Sequence, residues 1–206
     1  MNLFYQKDKL EAGVDEVARG CLFGRVYSAA VIWDNVENEI NCNPLIKDSK
    51  KLNRRQRLIM SDYIKEYAIG YGISYVDEKK IDEINILNAT HLCMHQSIQN
   101  MNIDVEHLII DGNKFKPYKN ERNETIPYVC IISGDNNYYS IACASILAKI
   151  AHDQYIYDLC DENPDLEEKY GLLSNVGYGT KKHLEGIKKY GLSEFHRKTF
   201  GICKEF

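Results

Sequence analysis

The chain has 206 residues, 44% hydrophobic and 27% charged, and a net charge of −4. That balance excludes a disordered or collagen-like chain, and the acidic total excludes a uniformly basic nucleic-acid coat while leaving room for a local basic groove. One domain is expected at this length, large enough to bury about 70% of its unfolded surface and to fold without disulfides or metal.

The first nine residues are polar and lack the apolar core of a signal peptide. Residues 13–17 predict a first strand and residues 26–33 a second, with Gly20 and Gly24 turning the chain between them. Residues 34–46 are polar and read as a loop. Asn53 and Gln56 carry a capping-box signature, opening a helix that runs to about Ala68. Its apolar face is read as Ile59, Tyr63 and Tyr67, at four-residue spacing. Gly70 and Gly72 stop that helix, and the alternation of Tyr71, Ile73 and Tyr75 predicts a third strand. Two joined helices follow over residues 77–84 and 85–101. Residues 108–112 predict a short buried strand reaching Asp111, and residues 113–126 a polar loop. Residues 128–132 predict another buried strand, leading into Ser133–Gly134–Asp135. The helix over residues 140–158 carries Ala142, Ala144, Ala148 and Ala151, small enough to pack close to a sheet. Acidic residues gather over 158–168, and the tail over 177–197 reads as helical and basic. Three early strands joined by hairpins, then two reached through longer connections, imply a mixed sheet with helices on its faces.

No run approaches the ~18 apolar residues that a membrane span requires. Seven cysteines, an odd number without a CxxC pair, fit reduced and mostly buried thiols in a reducing compartment. His91 and His95 lie one helical turn apart, but no third ligand accompanies them, and they are read as helix residues rather than a zinc site. Tyr138 and Tyr139 could stack on bases; core packing is the preferred reading.

Asp15, Asp111 and Asp135 are each read as closing an apolar strand, with Glu16 beside Asp15. Any one of them alone is a turn residue. Three together make an oxygen-rich site suited to Mg²⁺ or Mn²⁺, because a carboxylate at the end of a buried run needs a partner for its charge. Neighbouring strand residues face opposite ways, so Asp15 and Glu16 share a site only at a bulge or strand end, which the nearby Gly13 and Gly20 would permit.

These residues lie within longer blocks. Glu11–Ala12–Gly13–Val14–Asp15–Glu16–Val17–Ala18–Arg19–Gly20 resembles the N-terminal signature of ribonuclease HII, the type 2 ribonucleases H. Similar to that family's further motifs, and in its order, are Asp48–Ser49–Lys50–Lys51–Leu52, Ile81–Asp82–Glu83–Ile84–Asn85–Ile86–Leu87–Asn88–Ala89–Thr90, Ile110–Asp111–Gly112–Asn113, Gly134–Asp135 and Ser145–Ile146–Leu147–Ala148–Lys149. Gly177–Tyr178–Gly179–Thr180 with His183, and Phe195–His196–Arg197, close the series.

The resemblance implies an α/β, ribonuclease H-like fold: a five-stranded mixed sheet flanked by helices. It implies a catalytic domain over residues 1–160 and a helical C-terminal extension over 161–206 that contributes to substrate binding, the two forming one compact unit. It implies catalytic and metal-holding roles for Asp15, Glu16, Asp111 and Asp135, with two Mg²⁺ or Mn²⁺ ions. The implied activity is hydrolysis of the RNA strand of RNA–DNA hybrids, and cleavage 5′ to ribonucleotides embedded in duplex DNA, leaving 3′-hydroxyl and 5′-phosphate ends. Such an enzyme would serve removal of ribonucleotides and RNA primers in DNA replication and repair, as a monomer in the cytoplasm, with no membrane partner. Carried over by motif, Ala18, Arg19, Gly20, Ser49, Lys50 and Tyr178 would bind substrate. The triplet would read the 2′-hydroxyl through its backbone, and Tyr178 would pack on the adjacent deoxyribose.

Three departures stand out. Ala18 replaces the first glycine of the triplet, which strains the backbone if its φ is positive. Ser133 and Val176 stand where lysines are usual, removing two potential phosphate contacts. Two basic stretches could flank the carboxylates: Lys47, Lys50, Lys51, Arg54, Arg55 and Arg57, then Lys181, Lys182, Lys188, Lys189, Arg197 and Lys198. Asp153 reads equally as a carboxylate supporting the site from behind and as a plain helix-surface charge. Two rival readings are a module that binds ribonucleotide junctions with little turnover, and a nuclease of this fold acting on DNA alone.

Overall fold

The computed structural model describes residues 1–33, 42–47 and 49–206; most of the expected loop over 34–46 and the motif residue Asp48 lie outside the described residues. Strand β1 (Glu11–Val17) turns back into β2 (Val26–Ile32) and then β3 (Gly70–Val76), all antiparallel. Strand β4 (His107–Asp111) pairs parallel with β1, and β5 (Tyr128–Ile131) pairs parallel with β4. Among the described residues this is the expected five-stranded mixed sheet, in the order β3-β2-β1-β4-β5.

The sheet is sandwiched, and the period-2 alternation of its strands sorts residues between two cores. Ala30 and Ile32, with Ala12, Val14, Leu108 and Ile110, face helix α3 (Ile86–Gln99), which follows α2 (Glu78–Ile84). Ala29, Val31 and Val17 face helix α1 (Arg54–Tyr67) and helix α5 (Tyr139–Glu162). The small residues of α5 let it lie close to β1: a Cβ on Gly13 would come within 2.5 Å of the backbone of Ser140 and Ile141.

The capping box of α1 forms as expected, with Gln56 N–H donating to Asn53 Oδ1 at 2.9 Å and Asn53 N–H to Gln56 Oε1 at 3.0 Å. The expected apolar face of α1 holds at Tyr63, which stacks on Trp33, and fails at the other two residues. Ile59 and Tyr67 are 53% and 37% exposed, while Met60 and Ile64 are buried. One residue of offset rotates the face by about 100°, toward Trp33, Cys143 and Leu147. Strand β5 is likewise not buried, because it is a sheet edge; Tyr128 is exposed and Ile132, just beyond it, is 73% exposed.

Beyond β5 comes one turn of helix, α4 (Gly134–Asn137), then α5. The expected boundary at residue 160 falls inside the last turn of α5. Helices α6 (Pro164–Tyr170), α7 (Leu172–Asn175) and α8 (Lys181–Tyr190) follow. The tail expected to be helical over 177–197 is helical only in α8, since residues 177–180 and 191–197 form turns that pack on the loop after β1. Leu166, Tyr170, Leu172 and Ile187 form one core with Leu22, Phe23, Ile156 and Leu159. Among the described residues, no helix is long and apolar enough to cross a membrane. None of the seven cysteines is in a disulfide, and five of them are buried; Tyr139 is core, its hydroxyl accepting Asn43 N–H at 2.8 Å.

Candidate active site

The pairing of β1 with β4 ends at Val14 opposite Ile110. Asp15 and Asp111 are the next residue on each strand. Asp15 is therefore not at the end of its strand, since β1 runs on beside β2 to Val17; it stands where β4 leaves β1. No bulge joins Asp15 to Glu16, because the β1–β2 register is regular across both. Asp15 points to the α5 side, where the Ser145 hydroxyl and the Glu16 N–H bond it, the latter at 2.7 Å. Glu16 leaves on the α3 side and meets Arg19 Nη1 at 3.2 Å. Both still border one cleft of about 420 Å³, lined also by Ser49, Lys50, Asp111, Ser145, Lys149 and Tyr178.

Asp135 corrects its expected position. It lies in the first turn of α4, four residues past the end of β5, rather than closing the strand. Gly134, beside it, donates its N–H to Asp111 Oδ1 at 2.7 Å, which ties the α4 turn to β4. Asp135 is buried and accepts Asn136 Nδ2 at 2.9 Å.

The electrostatics are those of crowded acids. Burial first, then the charges of Glu16 and Asp111, hold the Asp15 carboxyl well above its usual range. Glu16 is raised by burial despite Arg19, and Asp111 is raised by burial despite the Gly134 N–H. A multivalent cation offsets the burial and the repulsion at once, and an all-oxygen donor set selects a hard one. Among the described residues no three His, Cys, Asp or Glu side chains converge into a ready-made metal shell. Asp15 and Glu16 depart on opposite faces, and the carboxylates repel one another.

The triplet loop folds over the Glu16 side of this cleft. Ala18 has φ 70°, so its methyl does sit on left-handed backbone. Ser133 and Val176 lie there too, at φ 56° and 42°, so all three departures occupy backbone that disfavours side chains. Gly20 faces Tyr178, whose ring edge would be 3.9 Å from a Cβ added there. Tyr178 is 38% exposed, and burial of the rest pushes its hydroxyl up to about 12.

The basic stretches divide. Lys50 lines the cleft. Arg57 does not face solvent: it donates to the carbonyls of Ser49 and Leu52 at 3.2 and 2.6 Å and pairs with Asp153 at 3.5 Å. Arg197, expected in a phosphate-facing patch, is wholly buried, donating to the Gly24 and Arg19 carbonyls at 2.8 and 3.1 Å. Asp153 is buried, not a surface charge, and accepts Lys149 Nζ at 2.8 Å and His152 Nδ1 at 3.0 Å. It thus supports the cleft through Lys149 and Arg57. His95 bonds the Lys116 carbonyl at 2.8 Å, as a helix residue would.

Two residues of the cleft, Ser145 and Lys149, were not singled out as site residues. Their i,i+4 spacing inside a quoted motif places both on one helix face, and was the available signal.

The family model for ribonuclease HII matches residues 12–203. A ribonuclease HII of Christiangramia forsetii is 46% identical over 202 residues, covering 98% of this chain and 96% of that protein. The crystal structure of the ribonuclease H2 from Pyrococcus horikoshii superposes with a TM-score of 0.74 at 22% identity, covering 95% of each chain. That of Bst-RNase HIII in complex with Mn²⁺ gives a TM-score of 0.67 at 21% identity, covering 95% of this chain and 68% of the other. At these identities the two structures speak for the fold, and both share it.

Proposed function

Because the chain belongs to the ribonuclease HII family, the type 2 ribonucleases H, we propose that it is an endonuclease hydrolysing the RNA strand of RNA–DNA hybrids and cutting duplex DNA 5′ to embedded ribonucleotides. The observation that carries this reading is the set of mutually raised carboxylates, Asp15, Glu16 and Asp111, in one cleft with Tyr178 and beside the triplet loop. Asp15, Glu16, Asp111 and Asp135 would hold Mg²⁺ or Mn²⁺, which when bound supplies the positive charge that activates water and offsets charge building on the phosphodiester.

The chain's own residues set the geometry. The Gly134 N–H fixes the rotamer of Asp111, and Ser145 with the Glu16 N–H fixes that of Asp15. Lys50 and Lys149 bring positive charge to the cleft wall where a phosphate backbone would lie, and Asp153 holds Lys149 there. Tyr178 would offer an aromatic face to a sugar without a 2′-hydroxyl, while the backbone of residues 18–20 would meet the 2′-hydroxyl of the sugar before it. On this reading the products carry 3′-hydroxyl and 5′-phosphate ends, and the enzyme acts as a cytoplasmic monomer in removing ribonucleotides and RNA primers.

The test is cleavage of an end-labelled duplex with one embedded ribonucleotide, in Mg²⁺ and in Mn²⁺, with Asp111→Asn as control. A cut 5′ to the ribonucleotide, absent in the variant, is the expected result. No cut in either metal by a folded, duplex-bound chain overturns the reading in favour of a junction-binding module. Cleavage of all-DNA duplex at a similar rate overturns its RNA specificity.

A further inference from the structure

Two histidines behind the cleft take no part in holding metal or phosphate. His183, on α8, and His196, in the turn after it, are 0% and 1% exposed. Tyr170 and Phe23 pack edge-on against the His196 ring, with centroids 4.7 and 5.1 Å away. Their polar atoms form a chain. Ser193 N lies 2.9 Å from His196 Nδ1, His196 Nε2 lies 3.1 Å from His183 Nε2, and His183 Nδ1 lies 2.9 Å from the Tyr178 carbonyl oxygen.

Only one proton arrangement satisfies every link. The Tyr178 carbonyl can only accept, so His183 Nδ1 carries a proton. The Ser193 N–H can only donate, so His196 Nδ1 is bare. His196 Nε2–H then donates to the bare Nε2 of His183. Both rings are neutral, in agreement with burial lowering both and holding His196 down to about 3.

The chain ends on the backbone of the residue that faces the triplet, and the loop it braces is strained. Ala18 at φ 70° and Val176 at φ 42° occupy left-handed backbone on the two segments that meet here. Such conformations persist only where the surroundings over-determine them. Here Leu22 N–H donates to the Gly177 carbonyl and Gly24 N–H to the Phe195 carbonyl, at 2.9 and 2.8 Å. Isolated bridges join Cys21 to Tyr178 and Phe23 to His196. Gly177 at φ 88° passes so close that a Cβ would lie 2.8 Å from the Phe23 carbonyl oxygen.

We propose that His183 and His196 are positioning residues: a neutral, directional hydrogen-bond relay that fixes Tyr178 against the loop of residues 18–24 and thereby sets the preference for a single ribonucleotide in DNA over a continuous RNA strand. The proposal rests on the function proposed above. The preference follows because a ring packed on a sugar lacking the 2′-hydroxyl gains from a ribonucleotide followed by DNA, and an all-RNA strand offers no such sugar.

The first test is made on the free full-length chain. Long-range ¹H–¹⁵N imidazole spectra at neutral pH should show His183 protonated at Nδ1 and His196 at Nε2; the opposite tautomers or a cationic ring overturn the relay. The second compares kcat/KM on a duplex with one ribonucleotide and on an RNA–DNA hybrid. His196→Leu should lower the first about tenfold and the second less than twofold. Tyr178→Ala should shift the ratio similarly, and the double variant no further. His183→Asn, whose amide still donates to the Tyr178 carbonyl, should recover part of what His183→Leu loses. Equal losses on both substrates, or additive losses in the double variant, mean that the pair only supports the fold and overturn the proposal. If His196→Leu does not fold, His196→Met, which also lacks the donor, carries the same readout. A wild-type chain that cuts neither duplex overturns the proposed function instead, and the tautomers are read independently of it.

Discussion

The two halves of the cleft are built on opposite principles. The carboxylate half is carried by regular structure: Asp15 and Glu16 by unbroken strand register, Asp111 by the last residue of β4. Strands β1 and β4 are relaxed there and the charges are not, although the α4 turn that carries Asp135 starts on left-handed backbone at Ser133. The half around Tyr178, the proposed sugar-facing half, is the reverse. Its loops carry Ala18 and Val176 on left-handed backbone, while its buried polar groups are neutral, as in the histidine pair, or donate to carbonyls, as do Arg197 Nε and Nη1. Electrostatic tension suits a site that takes a cation, because binding relieves it. Backbone tension suits a surface that must hold one shape against a sugar.

The largest expected effect tests the charged half. Asp111→Asn keeps an oxygen for the Gly134 N–H but removes one of the crowded charges. Cleavage of the single-ribonucleotide duplex should fall at least a hundredfold, roughly the loss when one key electrostatic group is removed. Metal-free protein should melt higher than wild type in calorimetry, because a carboxylate raised by burial destabilises the fold when ionised. A lower melting temperature would show that the half is not under electrostatic tension.

Arg197→Met probes the other half. It strips the Gly24 and Arg19 carbonyls of their donor inside the core, so urea unfolding should show a loss of about 3 kcal/mol. A loss under 1 kcal/mol would mean that the loop does not depend on this anchor.

The relay histidines make a pH prediction. His196 is lowered from 6.5 to about 3 in the folded chain, so the unfolded chain binds more protons between those values. Stability is therefore full above pH 6.5 and falls as pH drops toward 3, by about 1.4 kcal/mol per pH unit at the steepest. Urea melts across that window should show the slope, and His196→Gln should flatten it.

Ala18→Gly should stabilise the chain by about 1 kcal/mol, since glycine adopts φ 70° without strain. It should also sharpen the preference for single ribonucleotides over hybrid; identical rates on both substrates before and after would refute a role for that methyl. The smallest effect belongs to Ile59→Ser, on the exposed face of α1, where thermal melts should move by no more than about 0.5 kcal/mol of stability.

Local signals were legible in the sequence because they act over a few residues. The Asn53–Gln56 capping box is closed by bonds three residues apart, and the alternation in residues 71–75 is the pleat itself. The four carboxylates were legible, and Asp111 closes β4 as expected, but the placement of Asp15 and Asp135 was not. Asp135 sits in a helical turn whose position depends on Gly134 reaching across to Asp111, 23 residues earlier. The face of α1 was misread at Ile59 and Tyr67 because they share with Tyr63 a stripe as convincing as the true one. Only the position of Trp33 and α5 selects Met60 and Ile64.

By itself, then, the sequence determined which residues carry charge, where the chain turns, and the family whose pattern it follows. Tertiary structure alone decided which charges face the cleft. Arg57 and Arg197 read in the sequence like any other basic residue near a motif. One is sequestered by Asp153, and the other by a carbonyl 178 residues away in the chain. Burial is a property of surfaces brought together by folding, and whether a cation meets solvent or a carbonyl is settled only when distant segments close over it.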